Sequence, residues 1–427
     1  MKPFLGHAVC AVLASLSCRE TVWGVQDVNR PPKSDAAPKV EWLHGHGTDQ
    51  GEHVFEGMQT RDGGFIAVGT TWEAKGHGSA ALVIKTDETG KLQWQRVLGE
   101  KGSREEGRCI VEARDGYYLG GVLTEAGLTG PGLLKLDAKG TVEWTKTYPG
   151  PKHGAVRGID LAGNGLALTG YVDCPENAVP FIADDAAGFV MKTDLLGKPL
   201  WRKTLDAPQG TKVKIDRATG ALFVCSTVWA FSEGRDHQDA QLTKLDASGV
   251  TLWKKTYGGR GQDQCFDMDL TPDGCVLAGH TTGDPNGGWD AWLVKVNRDG
   301  TRQWSQTYGQ PLGGSPKQIY DECYGVKATP DGGFVLACGT GVEPENAKTR
   351  KDPRSTWAAY VVRTDARGNK LWHHLHHTPN KGHNAAEYVA LCRDGGYVVF
   401  LDSDNTGSMK NSNVGFLKLA LAKKGGS

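Results

Sequence analysis

The chain has 427 residues, of which 59 are glycine and 38% are hydrophobic, with 49 basic side chains against 49 acidic ones. A formal net charge of zero and the lack of a long basic run exclude the electrostatic footprint of a nucleic-acid-binding protein. The length suits a single closed domain rich in short strands and turns.

Residues 1–24 read as an export signal. Lys2 precedes an apolar stretch from Phe4 to Leu16 that is too short for a transmembrane anchor, and cleavage after Gly24 satisfies the small-residue rule. Ser17-Cys18 offers a lipoprotein-like alternative, with poorly fitting upstream residues. Either way the expected location is secreted or periplasmic. Residues 25–39, with Pro31, Pro32 and Pro38, form a short leader, and residues 422–427 form a polar tail.

Between these ends one unit is repeated. Trp42, Trp94, Trp144, Trp201, Trp253, Trp304 and Trp372 are spaced by 52, 50, 57, 52, 51 and 68 residues. Before most of them stands a turn such as Lys85-Thr86-Asp87-Glu88-Thr89-Gly90, in which Asp bonds its own backbone and Gly accepts positive φ. A second turn recurs as Asp62-Gly63, Asp115-Gly116, Asp273-Gly274, Asp331-Gly332 and Asp394-Gly395, with degenerate copies at Asn164-Gly165 and Thr219-Gly220. Each turn lies between apolar or alternating runs, so the unit has four short antiparallel strands. Repeated about an axis, it is a β-propeller blade. The spacing predicts a seven-bladed, all-β propeller over residues 40–421, closed by the N-terminal strand around Trp42 completing the last blade.

The segment Asp87-Glu88-Thr89-Gly90-Lys91-Leu92-Gln93-Trp94 resembles the quinoprotein-type propeller repeat, and Trp253-Lys254-Lys255-Thr256-Tyr257-Gly258-Gly259 is similar to repeats of secreted bacterial propellers. The resemblance covers nearly all of the repeat region. A bound quinone would be implied only with adjacent cysteines and calcium ligands, and no two cysteines are neighbours here. Outside the signal, eight cysteines fall mostly in strands, where they serve as small hydrophobes.

Both repeated turns belong on one face of the ring. The other face receives the blade-to-blade connections and the irregular loops between second and third strands, and is the expected binding face. Trp72, Trp229, Trp289 and Trp357 lie in or beside those loops and are candidates for stacking on a sugar or anchoring a protein, against the alternative that they cover blade ends. Glu52, Glu105, Asp263 and Asp321 each stand ten residues before a turn aspartate. They suggest a partial acidic ring at the channel mouth, able to hold Ca²⁺ or a cationic ligand, or else a set of caps on backbone N–H groups. Asp402 and Asp404 resemble the start of a calcium loop whose far end fails at Asn413. His44, His46, His374 and His376 have strand spacing that a metal can use, on two outer strands.

The sequence carries no hydrolase nucleophile elbow, zinc-protease motif or phosphate-binding loop. Two readings follow. One is an exported, monomeric, non-catalytic propeller that binds a glycan or an extracytoplasmic protein and needs no cofactor. The other is a carbohydrate-active enzyme, hydrolase or lyase, using loop or channel-mouth carboxylates such as Asp184 with Asp185 or Glu343 with Glu345.

Overall fold

The computed structural model describes residues 37–72, 78–99, 102–150, 152–175, 183, 185–232, 235–283, 288–312, 319–342, 357–377, 384–403 and 413–420. Its strands form seven four-stranded antiparallel sheets. In chain order the innermost strands are β2 (Glu52–Gln59), β6 (Glu106–Ala113), β10 (His153–Ala162), β14 (Lys212–Ile215), β18 (Asp263–Thr271), β22 (Tyr320–Ala328) and β26 (Ala386–Leu391). Each is followed by the other strands of its blade, numbered here blade 1 to blade 7. Among the described residues no helix is long and apolar enough to cross a membrane.

The last blade combines both ends of the ring. β26, β27 (Tyr397–Ser403) and β28 (Asn413–Ala420) are completed by β1 (Lys39–His46), which pairs antiparallel with β28 so that Trp42 lies opposite Lys418. The same cross-strand pair recurs in every blade: Lys85 with Trp94, Lys135 with Trp144, Lys192 with Trp201, Lys244 with Trp253, Lys295 with Trp304 and Arg363 with Trp372.

Two sets of contacts explain the landmarks of the repeat. The repeated cation reaches the Asp of the other turn in its own blade: Lys85 Nζ lies 2.9 Å from Asp62, Lys295 Nζ 2.8 Å from Asp273 and Lys418 Nζ 2.7 Å from Asp394. Lys85 is otherwise engulfed by the blade, so the acidic turn compensates a charge that burial would destabilise. In blade 4, where Thr219 stands at the place of that aspartate, Lys244 turns outward to the Arg298 carbonyl at 3.3 Å.

The turn glycine serves the neighbouring blade. Gly90 has φ 79°, and a Cβ there would stand 2.6 Å from the Trp42 ring. Gly140, Gly197, Gly249, Gly300 and Gly368 receive Trp94, Trp144, Trp201, Trp253 and Trp304 in the same way. Glycine is therefore required twice over, by backbone conformation and by the indole lying against it. The apolar cores sit between blades: Val54, Phe65 and Leu82 of blade 1 pack with Tyr388, Phe400 and Phe416 of blade 7. All eight cysteines of the ring are buried thiols.

Candidate functional site

An inner strand pairs on one side only, so its free edge faces the axis and its backbone groups need partners other than a strand. Carboxylates of neighbouring blades supply several. Asp267 accepts a hydrogen bond from Val326 N at 2.9 Å, Asp269 from Ala328 N at 3.0 Å, Asp160 from Ile215 N at 2.7 Å and Asp402 from Val54 N at 2.9 Å. The blades are thereby stitched together along the channel wall.

Inside that wall lies a buried polar plug. Lys212 Nζ of blade 4 donates to Glu56 Oε1 of blade 1 at 2.7 Å and to the Tyr388 hydroxyl of blade 7 at 3.1 Å. Lys327 of blade 6 donates to the same hydroxyl at 2.7 Å, and Tyr388 donates to Glu56 at 3.1 Å. Asp267 of blade 5 stands 3.8 Å from Lys212 and 3.7 Å from Lys327. Five of the seven blades thus meet in one network. Burial works against charge on Lys212, but Glu56, Tyr388 and Asp267 outweigh it and hold its ammonium more basic than an ordinary lysine. For Lys327 burial prevails and its basicity is lowered.

Beside the plug is a cavity of about 60 Å³ whose lining has a common structural origin. In six blades the inner strand carries one extra, unpaired residue: Phe55 between Val54 and Glu56, then Arg108, Arg157, Phe266, Tyr324 and Glu387 at equivalent places. A bulge re-aims its side chain away from the pleat. All six of these side chains line the axial cavity. Blade 4, whose inner strand is short and pairs without a register shift, contributes Thr211 and Lys212 instead.

This collar was missed in the sequence although its signal is simple. Each member stands seven residues before the Asp, Asn or Thr of the second turn, from Phe55 before Asp62 to Glu387 before Asp394. The scaffold repeats there while the residue type does not.

Its chemistry is uneven around the ring. Arg108 and Arg157 come from adjacent blades; Arg108 stacks over Phe55 with its guanidinium 4.0 Å from the ring centre and bonds Glu106 at 2.7 Å, while Arg157 donates to Gln209 at 3.0 Å. Burial, with Arg108 close by, lowers the Arg157 guanidinium to about 10. Across the cavity Tyr324 donates to Glu322, and Glu387 faces His53 with 3.9 Å between the His53 Nε2 and its carboxylate. His53 Nδ1 bonds Asp402. Burial opposes the imidazolium, yet Asp402 and Glu387 reverse that and raise His53 to about 9. Burial and the neighbouring Asp402 carboxylate raise Glu387.

The carboxylates singled out in the sequence have other tasks. Glu52, Glu105, Asp263 and Asp321 are buried at the heads of inner strands and do not line the cavity. Glu52 accepts from Thr48 N at 2.8 Å, Asp263 from Gly259 N at 2.8 Å and Asp321 from Gln310 N at 2.7 Å, while Ser103 donates to Glu105 at 3.2 Å. Each ties down the connection entering its own blade, and burial raises Asp321 to about 6.

The four tryptophans divide into pairs. Trp72 and Trp229 are 44% and 49% exposed, and Trp72 lies 6.5 Å from the His53 ring. Trp289 packs edge-on to buried His280 at 4.6 Å, and Trp357 covers Gly339 and Gly341. The backbone oxygens of Trp289 and Trp357 accept from Asp321 N and Asn384 N, confirming their equivalence in neighbouring blades. Asp402 points into the His53 cluster, while Asp404, Asp184, Glu343 and Glu345 lie outside the described residues. On the outer strand, His46 Nε2 lies 2.9 Å from the Gly90 carbonyl oxygen.

No family model and no curated protein sequence matches the chain. Among solved structures it is similar to hydrazine synthase of Kuenenia stuttgartiensis, with 14% identity and a TM-score of 0.53 over 88% of this chain and 97% of that one. At this identity the likeness establishes the propeller architecture and carries no activity across.

Proposed function

We propose that the protein is an exported, non-enzymatic propeller that binds an acidic glycan at the channel mouth on its variable-loop face. The observation that supports this most is the bulge collar: one structurally repeated position presents Phe55, Arg108, Arg157, Phe266, Tyr324 and Glu387 to a common cavity. Guanidiniums suit carboxylate or sulfate groups and aromatic faces suit sugar rings. The exposed Trp72 beside His53 extends that surface outward. The charges deeper in the channel are matched to one another, which fits a plug under a binding site.

The test is an array of neutral and acidic oligosaccharides, followed by calorimetry with wild type, Arg157→Gln and Trp72→Ala. Binding confined to acidic glycans and weakened about tenfold or more by each substitution supports the reading. Acidic glycans that fail to bind wild type, or that bind all three proteins alike, overturn it.

A second reading is favoured by the presence of Tyr324 and Glu387 in the same cavity as the two arginines. In a lyase, guanidiniums stabilise charge developing on a uronate carboxylate while nearby groups move protons. Release of unsaturated sugars from uronic-acid polymers, abolished in Tyr324→Phe, would replace the binding role with that activity.

A further inference from the structure

We infer that His53, Glu387 and Asp402 form a binding site for a divalent first-row metal ion, with Zn²⁺ the best-fitting member, at the junction of blades 7 and 1. One ligand atom from each lies within 4.8 Å of the others, and no other such group occurs among the described residues. The three come from separate strands: His53 from the head of β2, Glu387 from the bulge of β26 and Asp402 from the end of β27.

Two further observations point to a ligand. Glu387 is 6% exposed, and its carboxylate receives no hydrogen bond from a described residue; the closest cation is His53 Nε2, at 3.9 Å. A carboxylate removed from water without a donor is an expensive arrangement unless something else completes it. The bulge that turns Glu387 out of the sheet also brings it to the cavity wall.

Asp402 is fixed in place as well, because its other oxygen accepts the hydrogen bond from Val54 N. Asp402 is therefore held by the junction between the first and last blades, and the same junction sets Glu387 opposite His53. The site is available only when the ring is closed.

The donor set identifies the class of ion. One imidazole and two carboxylates, with no thiolate, suit zinc and manganese better than soft metals, and the imidazole disfavours calcium or magnesium. On binding, the ion takes the place of the imidazolium proton on His53, and two carboxylates with the resulting neutral imidazole balance its double charge. The inference does not depend on the glycan reading, since metal occupancy is measured without any sugar.

The experiment uses the full chain, stripped with chelator and titrated with Zn²⁺ alone by calorimetry, then with Co²⁺ to read ligand-field absorption. Wild type is expected to bind roughly one tight equivalent and to give a Co²⁺ spectrum that Zn²⁺ abolishes. Glu387→Gln, nearly isosteric, should lower affinity about tenfold to a hundredfold while keeping the far-ultraviolet circular dichroism of wild type. His374→Ala with His376→Ala, on the outer strand of blade 6, should leave the tight equivalent intact. The proposal fails if folded wild type binds no tight equivalent, if folded Glu387→Gln binds as wild type does, or if the outer-strand variant removes the site. Should Glu387→Gln lose its fold, Asp402→Asn and His53→Gln take its place with the same criterion.

Discussion

Lys212 of blade 4 donates to Glu56 of blade 1 at 2.7 Å, so two blades on opposite sides of the ring are joined through a buried ion pair. Both side chains are less than a tenth exposed. Removing one partner leaves the other charged and dehydrated. Glu56→Ala is accordingly expected to cost about 3–5 kcal/mol in denaturant unfolding, whereas Glu56→Leu combined with Lys212→Met should cost clearly less than the sum of the single changes. Additive losses would show that the pair does not act as a unit.

The indole-on-glycine contact between blades makes a graded prediction. Gly90→Ala must accept both φ 79° and a Cβ 2.6 Å from Trp42, and is expected to cost about 2 kcal/mol or more. Gly163→Ala, at φ 59° with open space around it, should cost only about 1 kcal/mol. Equal losses in thermal unfolding would remove the indole from the explanation.

His280 gives a pH dependence with a definite sign. Burial lowers this imidazole from 6.5 to about 3, and its Nε2 lies 2.8 Å from Gln264 Oε1, which fits a neutral ring donating to the amide oxygen. A histidine depressed in the folded state contributes stability that is complete above pH 6.5 and is lost as pH falls from there toward 3. Wild type should therefore lose about 2 kcal/mol from this residue between pH 7 and pH 5. Asp321, raised to about 6, acts in the opposite direction over part of that range. The measurement is thus a difference: the stability gap between wild type and His280→Asn should shrink by about 2 kcal/mol on going from pH 7 to pH 5. A constant gap would contradict the neutral buried imidazole.

Tryptophans outside the repeat should separate binding from stability. Trp289→Ala removes packing against His280 and should cost about 2–3 kcal/mol, while Trp72→Ala, 44% exposed, should cost less than about 1 kcal/mol. The reverse order in chemical denaturation would show that the exposed indole is the structural one.

Closure across the ends can be tested by deleting residues 1–46. The deletion leaves β28 with an unpaired edge, and dimers or larger species are expected in size-exclusion chromatography with light scattering. A stable, cooperatively folding monomer would mean that β1 contributes little to the ring.

Much of the architecture was legible because its landmarks are repeated contacts. The Lys85–Trp94 type of pair and the Asp87–Gly90 type of turn recur with little change, and the termini could be joined from the position of Trp42 alone. The site was less legible for a physical reason. Glu52, Glu105, Asp263 and Asp321 attracted notice by recurring, and recurrence accompanies their bonds to blade connections. The collar residues share a position and differ in chemistry, so a search for repeated residue types passes over them. The plug and the His53 trio depend on blades far apart in the chain, and only closure of the ring brings Glu56 to Lys212 or Asp402 to His53.

The extra residue in each of six inner strands has an evolutionary consequence. Because Phe55, Arg108, Arg157, Phe266, Tyr324 and Glu387 have no cross-strand partner, exchanging one leaves the ladder on either side in register. The propeller therefore holds a set of addresses at which selection can rewrite recognition one letter at a time, while the surrounding frame goes on being inherited as a copy.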